Sequence, residues 1–442
     1  MINRTRAEHR SEPSLRTSNG RRQTIRARIL LAPMLAASMA LVWSCAASDS
    51  QPGSHSVTDS AGVSIVLSSG ADKVLAVHES LRLGVVDGDP RLQFHNIRGI
   101  AVDSGGTIWV ADSEGVRQYR RSGDYIGLVG RRGRGPGESP VGYGSVWVTP
   151  GRILASAYGG VQLFDSATGE FIGVRSIFAE RGGILTPLTP TDEGWLLLRK
   201  DLPGEIEQRF ETTWVVGRGP ALAVTFDSLL VLRGEPMVAT ATQRFTGSFF
   251  DGIPTIAGDR RGNIYYSGGL AYEVRVYAST GHLRRIIRRH VRPVPYTDAI
   301  RAGLADAARS ALERVSPAQA TDPAVVDSLV SQATPTADPE HLPHIDLLLV
   351  SSDGHLWVQR ADKHPRPAAR AMATRIGFAR TSWLDEWRAS VEFDLFLPDG
   401  SYRGSVTLPE DFIPLAVTAN EVFGAGFDEL GVNYVVAYAI EP

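Results

Sequence analysis

Six stretches of this chain repeat one local plan: an apolar β-rich run, a polar turn carrying Gly or Asn, and a second apolar run. They are IAVDSGGTIWVAD, VWVTPGRILASA, LTPTDEGWLLLRK, TIAGDRRGNIYYS, LLLVSSDGHLWVQ and LAVTANEVFGAGF, with turn residues Gly106, Gly151, Gly194, Gly262, Gly354 and Asn420. Successive turns lie 45, 43, 68, 92 and 66 residues apart. A second turn repeats downstream at Gly123, Gly169, Gly281 and Gly400, offset by 17, 18, 19 and 46 residues. None of the runs is long enough for a helix, and a period near 45 residues holding short strands and tight turns describes one small antiparallel sheet per repeat. Such a sheet has two apolar faces and unpaired edges. Stacking the sheets face to face around a closed ring buries the faces and leaves only short edges. Six units predict an all-β, six-bladed β-propeller of four-stranded antiparallel blades. The high counts of Gly (45) and Pro (26) in 442 residues suit a turn-rich fold of this kind.

The uneven spacings point to insertions. Residues 297–342 read as helical: Thr297 stands as N-cap, with Ile300, Leu304, Ala308, Leu312 and Val315 on one face, and Asp322-Pro323 opens a second helix. Residues 361–390 form a second insertion, in which Trp383 and Trp387 share a helix face as packing residues. The last repeat supplies three strands before Pro442, so the ring needs a fourth from elsewhere. The strand-like segments between Gly62 and Asp87 precede the first repeat, and one of them is expected to close the sixth blade against the C-terminal strand. The propeller is placed at residues 63–442.

Residues 1–28 hold eight Arg and two Glu, and Ile29–Ser44 is an uncharged run of 16 residues. A basic segment followed by a short apolar one describes an export signal rather than a membrane span, which needs about 20 residues. The only cysteine, Cys45, stands directly after this run. That placement resembles the bacterial lipoprotein signal, which implies cleavage after residue 44 and lipidation of Cys45. Residues 45–62 are rich in Ser and Gly and read as a flexible tether. Without residues 1–44 the net charge falls from −2 to about −8, so no basic nucleic-acid face is indicated.

The G-x-I-x-V-A-D pattern at the first repeat resembles NHL-type repeats. The segments GVVDGDPRLQFHNIRGIAV, VGRRGRGPGES and FDLFLPDGSYRGSVTLPEDF are similar to the secreted six-bladed β-propeller lipoproteins of bacteria. Gly133, Gly135, Pro136, Gly137 and Glu138 match that family's glycine-rich loop, and Ser139 stands where the family carries an aromatic residue. The resemblance implies the propeller fold and an exported, lipid-anchored setting; it implies no reaction.

Candidate site residues fall into two groups. The loop Gly130–Ser139 offers Arg131, Arg132, Arg134 and Glu138 for an anion or a partner. It lacks the Gly-Lys-Ser/Thr step into a helix that a nucleotide loop needs, so the competing reading is a blade-to-blade crossover in which Glu138 bonds an Arg or free N–H groups. The residues leading into the innermost strands offer Asn96, Arg98, Asp251 and Asp346 at the channel mouth. Metal-dependent propeller enzymes of the lactonase kind need several converging oxygens there, and no Glu-led triad is present. His341 and His344 in EHLPH have zinc-like spacing, but Pro339 and Pro343 make the segment an extended loop, so no metal site is assigned. Neither a Gly-x-Ser-x-Gly elbow nor a cysteine nucleophile is available. Trp109, Trp147, Trp195, Tyr265 and Trp357 are expected to pack between blades. The expected function is a tethered binding or scaffold protein, monomeric or a subunit of an envelope complex, that presents loops and a central channel to a protein, peptide or glycan. The alternative is a hydrolase or lyase using a channel-bound divalent cation. No cofactor is expected, and a structural cation in the channel is left open.

Overall fold

The computed structural model describes residues 54–69, 72–158, 160–176, 184–203, 209–220, 226–239, 245–247, 249–335, 339–364, 366–368, 370–371 and 390–441. Its strands form six sheets in chain order, each built from one of the six repeats. In the first blade Gly99–Val102, Ile108–Ala111, Gly115–Tyr119 and Tyr125–Arg132 pair antiparallel from the inside outward. The first hairpin turns at Gly106 (φ 80°), whose N–H donates to the Asp103 carbonyl at 3.0 Å. Asp103 Oδ1 accepts from the N–H groups of Gly105 and Thr107, so one carboxylate holds the whole turn. Asp112, the acid of the V-A-D motif, is fully buried and does the same for the next turn, accepting from the N–H groups of Glu114 and Gly115. The motif is therefore a hairpin device.

The inner strands of the remaining blades are Val146–Thr149, Ile184–Thr191, Thr255–Gly258, Ile345–Val350 and Phe412–Val417. Six separate apolar cores account for the six interfaces of a closed ring. Val129, Tyr143 and Phe164 pack between blades one and two; Leu154 and Leu197 between two and three; Trp214 and Tyr266 between three and four. Val274 and Val358 join four and five, Trp357 and Val422 join five and six, and Ile108 and Phe423 join six to one. Trp109, Trp195, Tyr265 and Trp357 lie in these interfaces as expected. Trp147 also packs against the core between blades two and three, half-buried, and its indole N–H donates to the Leu188 carbonyl of the next blade at 3.1 Å.

The sixth blade is completed by Val77–Leu83, which pairs antiparallel with Asn433–Ile440 in the register Val435↔Leu83 to Ile440↔Val77. The other N-terminal segment, Val63–Ser69, goes elsewhere. It adds in parallel to Leu283–Arg289, the outer strand of the fourth blade. Ser54–Ser60 then pairs with it as an antiparallel hairpin. Residues 54–60, assigned from composition to the tether, are thus strand, and the folded part starts before Val63. The missed signal is the two-residue turn Ala61-Gly62, with φ of 53° and 81°, which is the left-handed pair that a tight hairpin demands. The first, third and fourth blades carry five, five and six strands rather than four.

Helices α1 (Asp298–Val315), α2 (Pro317–Ala320) and α3 (Pro323–Ala333) follow the fourth blade. Thr297 accepts from the Ile300 N–H and Asp322 from the Ala324 N–H, as the capping pattern predicts. The apolar stripe of Leu304, Ala308 and Leu312 is buried against Phe249, Phe250 and Leu342, so its face is spent inside the molecule. Trp383 and Trp387 lie outside the described residues.

Candidate functional site

The inner strands of all six blades surround one central channel of about 1170 Å³. Its wall is mainly apolar and hydroxyl-bearing: Ala101, Val148, Thr189, Ala257, Leu349 and Ala416 stand for the six blades. Among the described residues four charged side chains line it: Arg98, Asp103, Asp192 and Arg260. Each has local work. Asp103 holds the first turn, and its Oδ2 accepts from the Trp109 indole at 3.3 Å. Arg260 Nε donates to Asp192 Oδ1 at 2.7 Å, linking blades three and four at the rim. Arg98 Nη1 donates to the Val141 carbonyl at 3.0 Å, and burial pushes its guanidinium below the ordinary value. The channel is therefore a neutral tube with a polar rim of Ser104, Asp192, Arg260, Ser352 and Thr418.

The structure separates the four residues proposed for the channel mouth. Arg98 lines the channel, and Asn96 precedes it in a left-handed conformation (φ 57°). Asp251 ends the short 3-10 helix Phe249–Asp251 and lines a lateral cavity. Asp346 is buried and takes a two-pronged ion pair from Arg370, at 2.7 and 2.9 Å. His364 shares that recess. Burial, reinforced by the Arg370 charge, pushes the imidazole down to about 4, while Asp346 opposes the shift. A depressed histidine favours folding above its unfolded value near 6.5 and loses that contribution as pH falls toward 4. We expect His364 to cost the fold about 3 kcal/mol of stability between pH 6.5 and 4. Urea denaturation across that range should show a shallower loss in His364→Gln; an unchanged slope would remove His364 from the acid response.

The loop Gly130–Ser139 is braced by itself. Glu138 Oε1 accepts from Arg131 Nε at 2.7 Å, and Oε2 accepts from the Gly135 N–H at 2.8 Å. Those two partners, the Gly135 N–H first, hold the carboxyl below its ordinary value. Glu138–Ser139 also pairs in parallel with Arg131 and Arg132 as an extra strand of the first blade. Arg132 approaches Glu114 at 3.7 Å, and Arg134 is exposed. A side chain at Gly133 would collide with Glu138. In this geometry Glu138 occupies the N–H groups that an anion would otherwise meet.

Sequence reasoning missed a buried charge cluster between blades four and five. Asp394 is 0% exposed and sits in the apolar strand Val391–Phe396. Its two oxygens accept from the Tyr272 hydroxyl and from Arg289 Nη1, both at 2.5 Å. Arg289 also pairs with Asp72. Arg360 lies 3.5 Å from Asp394 and donates twice to Asp362, both at 2.7 Å. Asp362 in turn lies 3.3 Å from His344 Nδ1. Burial alone would raise the Asp362 carboxyl, but His344 and Arg360 hold it below the ordinary range. Burial beside Asp394 drives the Tyr272 phenol far above its usual value, so it keeps the proton that it donates to Asp394. The signal in the sequence was an acid in the middle of FDLF, matched by Arg289 and Arg360 at the ends of neighbouring strands.

No protein-family model matches the sequence, and the comparison with curated proteins gives no match. Solved structures resemble the chain at low identity. A Bacteroides fragilis protein described as exported is 12% identical, with a TM-score of 0.46, covering 86% of this chain and 100% of its own. A member of the DUF4221 family from Bacteroides vulgatus is 8% identical, with a TM-score of 0.47, over 83% of this chain and 98% of its own. A gluconolactonase from Xanthomonas campestris is 13% identical, with a TM-score of 0.38, over 79% and 87%.

Proposed function

We propose that this chain is an exported, lipid-anchored binding protein whose central channel and polar rim receive a peptide or glycan segment of an envelope partner. The observation that carries the reading is the chemistry of the channel. It is a neutral tube contributed by all six blades, and its four charged side chains are already engaged in turns, blade contacts or ion pairs. A wall of methyl and hydroxyl groups with a polar rim suits a neutral, extended guest, with orientation set by a few hydrogen bonds. A catalytic hard cation would require several oxygens converging on one point. The two channel acids are apart in function: Asp103 folds a turn and Asp192 pairs with Arg260. The anchor rests on Cys45 directly after an uncharged run; both lie outside the described residues. Membrane attachment predicts that Cys45→Ser moves the chain to the soluble fraction.

The binding test uses glycan fragments of the envelope and a library of extended peptides, titrated against the purified chain. Ala101→Arg with Ala257→Arg fills the channel from opposite blades, one and four, while leaving the outer strands alone. We expect the best guest to bind at least tenfold more weakly to the filled variant. Unchanged binding would place recognition outside the channel. Lactone turnover that a chelator abolishes would replace the binding reading with the hydrolase one.

A further inference from the structure

The charge cluster described above ends at a second cavity, of about 770 Å³, beside the helical insertion. Its lining includes Phe250, Leu270, Tyr272, Glu340, His341 and His344. We propose that His341 and His344 form an open two-imidazole site for a late first-row divalent cation: Cu2+, Ni2+ or Zn2+.

Three observations carry this. First, both rings are set in one tautomer. His341 Nδ1 lies 2.9 Å from the Leu342 carbonyl, and His344 Nδ1 lies 3.3 Å from the Asp362 carboxylate. A carbonyl and a carboxylate only accept, so in each neutral ring Nδ1 carries the proton and Nε2 carries the lone pair. Imidazoles oriented by oxygen acceptors on their far nitrogen are the arrangement that metal-binding histidines use. Second, His344 is only 6% exposed, lines the cavity, and makes no Nε2 hydrogen bond with the described residues. The hydrogen bond to Asp362 explains one nitrogen of this buried, cavity-lining ring and leaves Nε2 without a hydrogen bond among the described residues. Third, the two ring centroids stand 5.2 Å apart with planes at 34°. Two imidazoles sharing a tetrahedral ion at metal–nitrogen distances of ~2.0–2.1 Å place their centroids roughly 5 Å apart.

The backbone around the pair is pinned. The Leu342 N–H donates to the Val294 carbonyl at 2.8 Å, and the N–H groups of His344 and Ile345 both donate to the Gly269 carbonyl at 3.0 Å. The segment that carries both rings is therefore held at its two ends. Among the described residues no three His, Cys, Asp or Glu side chains converge on one point. The ion accordingly takes two protein nitrogens and completes its shell with water or an incoming ligand. Imidazole nitrogen selects copper, nickel and zinc over magnesium and calcium.

The test is a titration of the purified chain with Cu2+, Ni2+ and Zn2+, with magnesium as the unreactive control. We expect one site that His341→Gln or His344→Gln each weakens at least tenfold, with a Cu2+ paramagnetic spectrum showing two coordinated nitrogens that falls to one in either variant. Asp362→Asn should weaken binding by about 10–100-fold by loosening the His344 ring. His341 is half-buried, so His341→Gln tests the site in a fold that thermal melting should show to be intact. Equal binding by the His341→Gln/His344→Gln double variant, or a spectrum unaltered by it, would overturn the proposal and assign the metal to other surface histidines.

Discussion

A variant lacking residues 77–83 should fail to fold as a ring. The deletion removes the outer strand of the sixth blade and leaves Asn433–Ile440 as an open edge. Val435, Val436 and Ala437, all fully buried, would lose their covering strand. Leu83 alone, at 6% exposure in the core between blades six and one, contributes about 2–3 kcal/mol by burial. With a ladder of six residue pairs lost as well, the penalty should be on the order of 5 kcal/mol, comparable to the whole stability of many domains. The expected result is aggregated protein, or a broad unfolding transition in place of a cooperative one. Recovery of a soluble variant with an unchanged urea midpoint would mean that the strand is an accessory.

Asp394→Ala should be the most damaging single substitution. Replacing it takes a buried carboxylate from Arg289 and Arg360, leaving them Asp72 and Asp362 respectively, and removes the acceptor of the Tyr272 hydroxyl. Removing one partner from a buried ionic cluster costs about 3–5 kcal/mol, because the remaining charges stay buried. The same substitution at Asp192, whose pair with Arg260 is solvent-exposed, should cost about 0–1 kcal/mol. Urea midpoints of the two variants give the comparison directly, and near-equal losses would contradict the role assigned to the cluster. Asp394→Ala should also loosen the hold of blade four on blade five, since Tyr272 and Arg289 reach Asp394 from one blade to the other.

The parts of the fold that were legible came from local chemistry. Gly106 and Gly123 occupy left-handed turn positions that other residues avoid, so the hairpins announced themselves. Thr297 and Asp322 marked helix starts because a short polar side chain before an apolar stripe caps free N–H groups. Which of two N-terminal strands closed the ring was not legible. VHESLRL and VSIVLSS have similar strand character, and only the shape of the finished ring chooses between the sixth blade and the edge of the fourth. Ser54–Ser60 was hidden by its polar composition, which suits an exposed edge strand as well as a tether.

The site was less legible than the fold, for a geometric reason. Position along the chain did not decide which candidates reach the channel: Arg98, just before Gly99–Val102, lines it, whereas Asp346, inside Ile345–Val350, does not. Their directions depend on the partners that each side chain finds. Asp251 turns with a 3-10 helix toward the lateral cavity, and Asp346 turns toward Arg370. His341 and His344 were weighed as neighbours on an extended loop; Pro343 between them gave no hint that their rings would approach across it.

The central claim is a six-bladed ring closed by the N-terminal strand, and a disulfide across the closing ladder tests it. His78 and Ala439 are cross-strand partners on the exposed side of the sixth blade. With Cys45 changed to Ser, His78→Cys/Ala439→Cys should oxidise to a single intramolecular bond, visible as a mobility shift that reductant reverses, and should raise the thermal midpoint. Absence of that bond, together with cross-linking of Ser64→Cys to Ala439→Cys instead, would show that the other N-terminal strand closes the ring and would contradict the topology described.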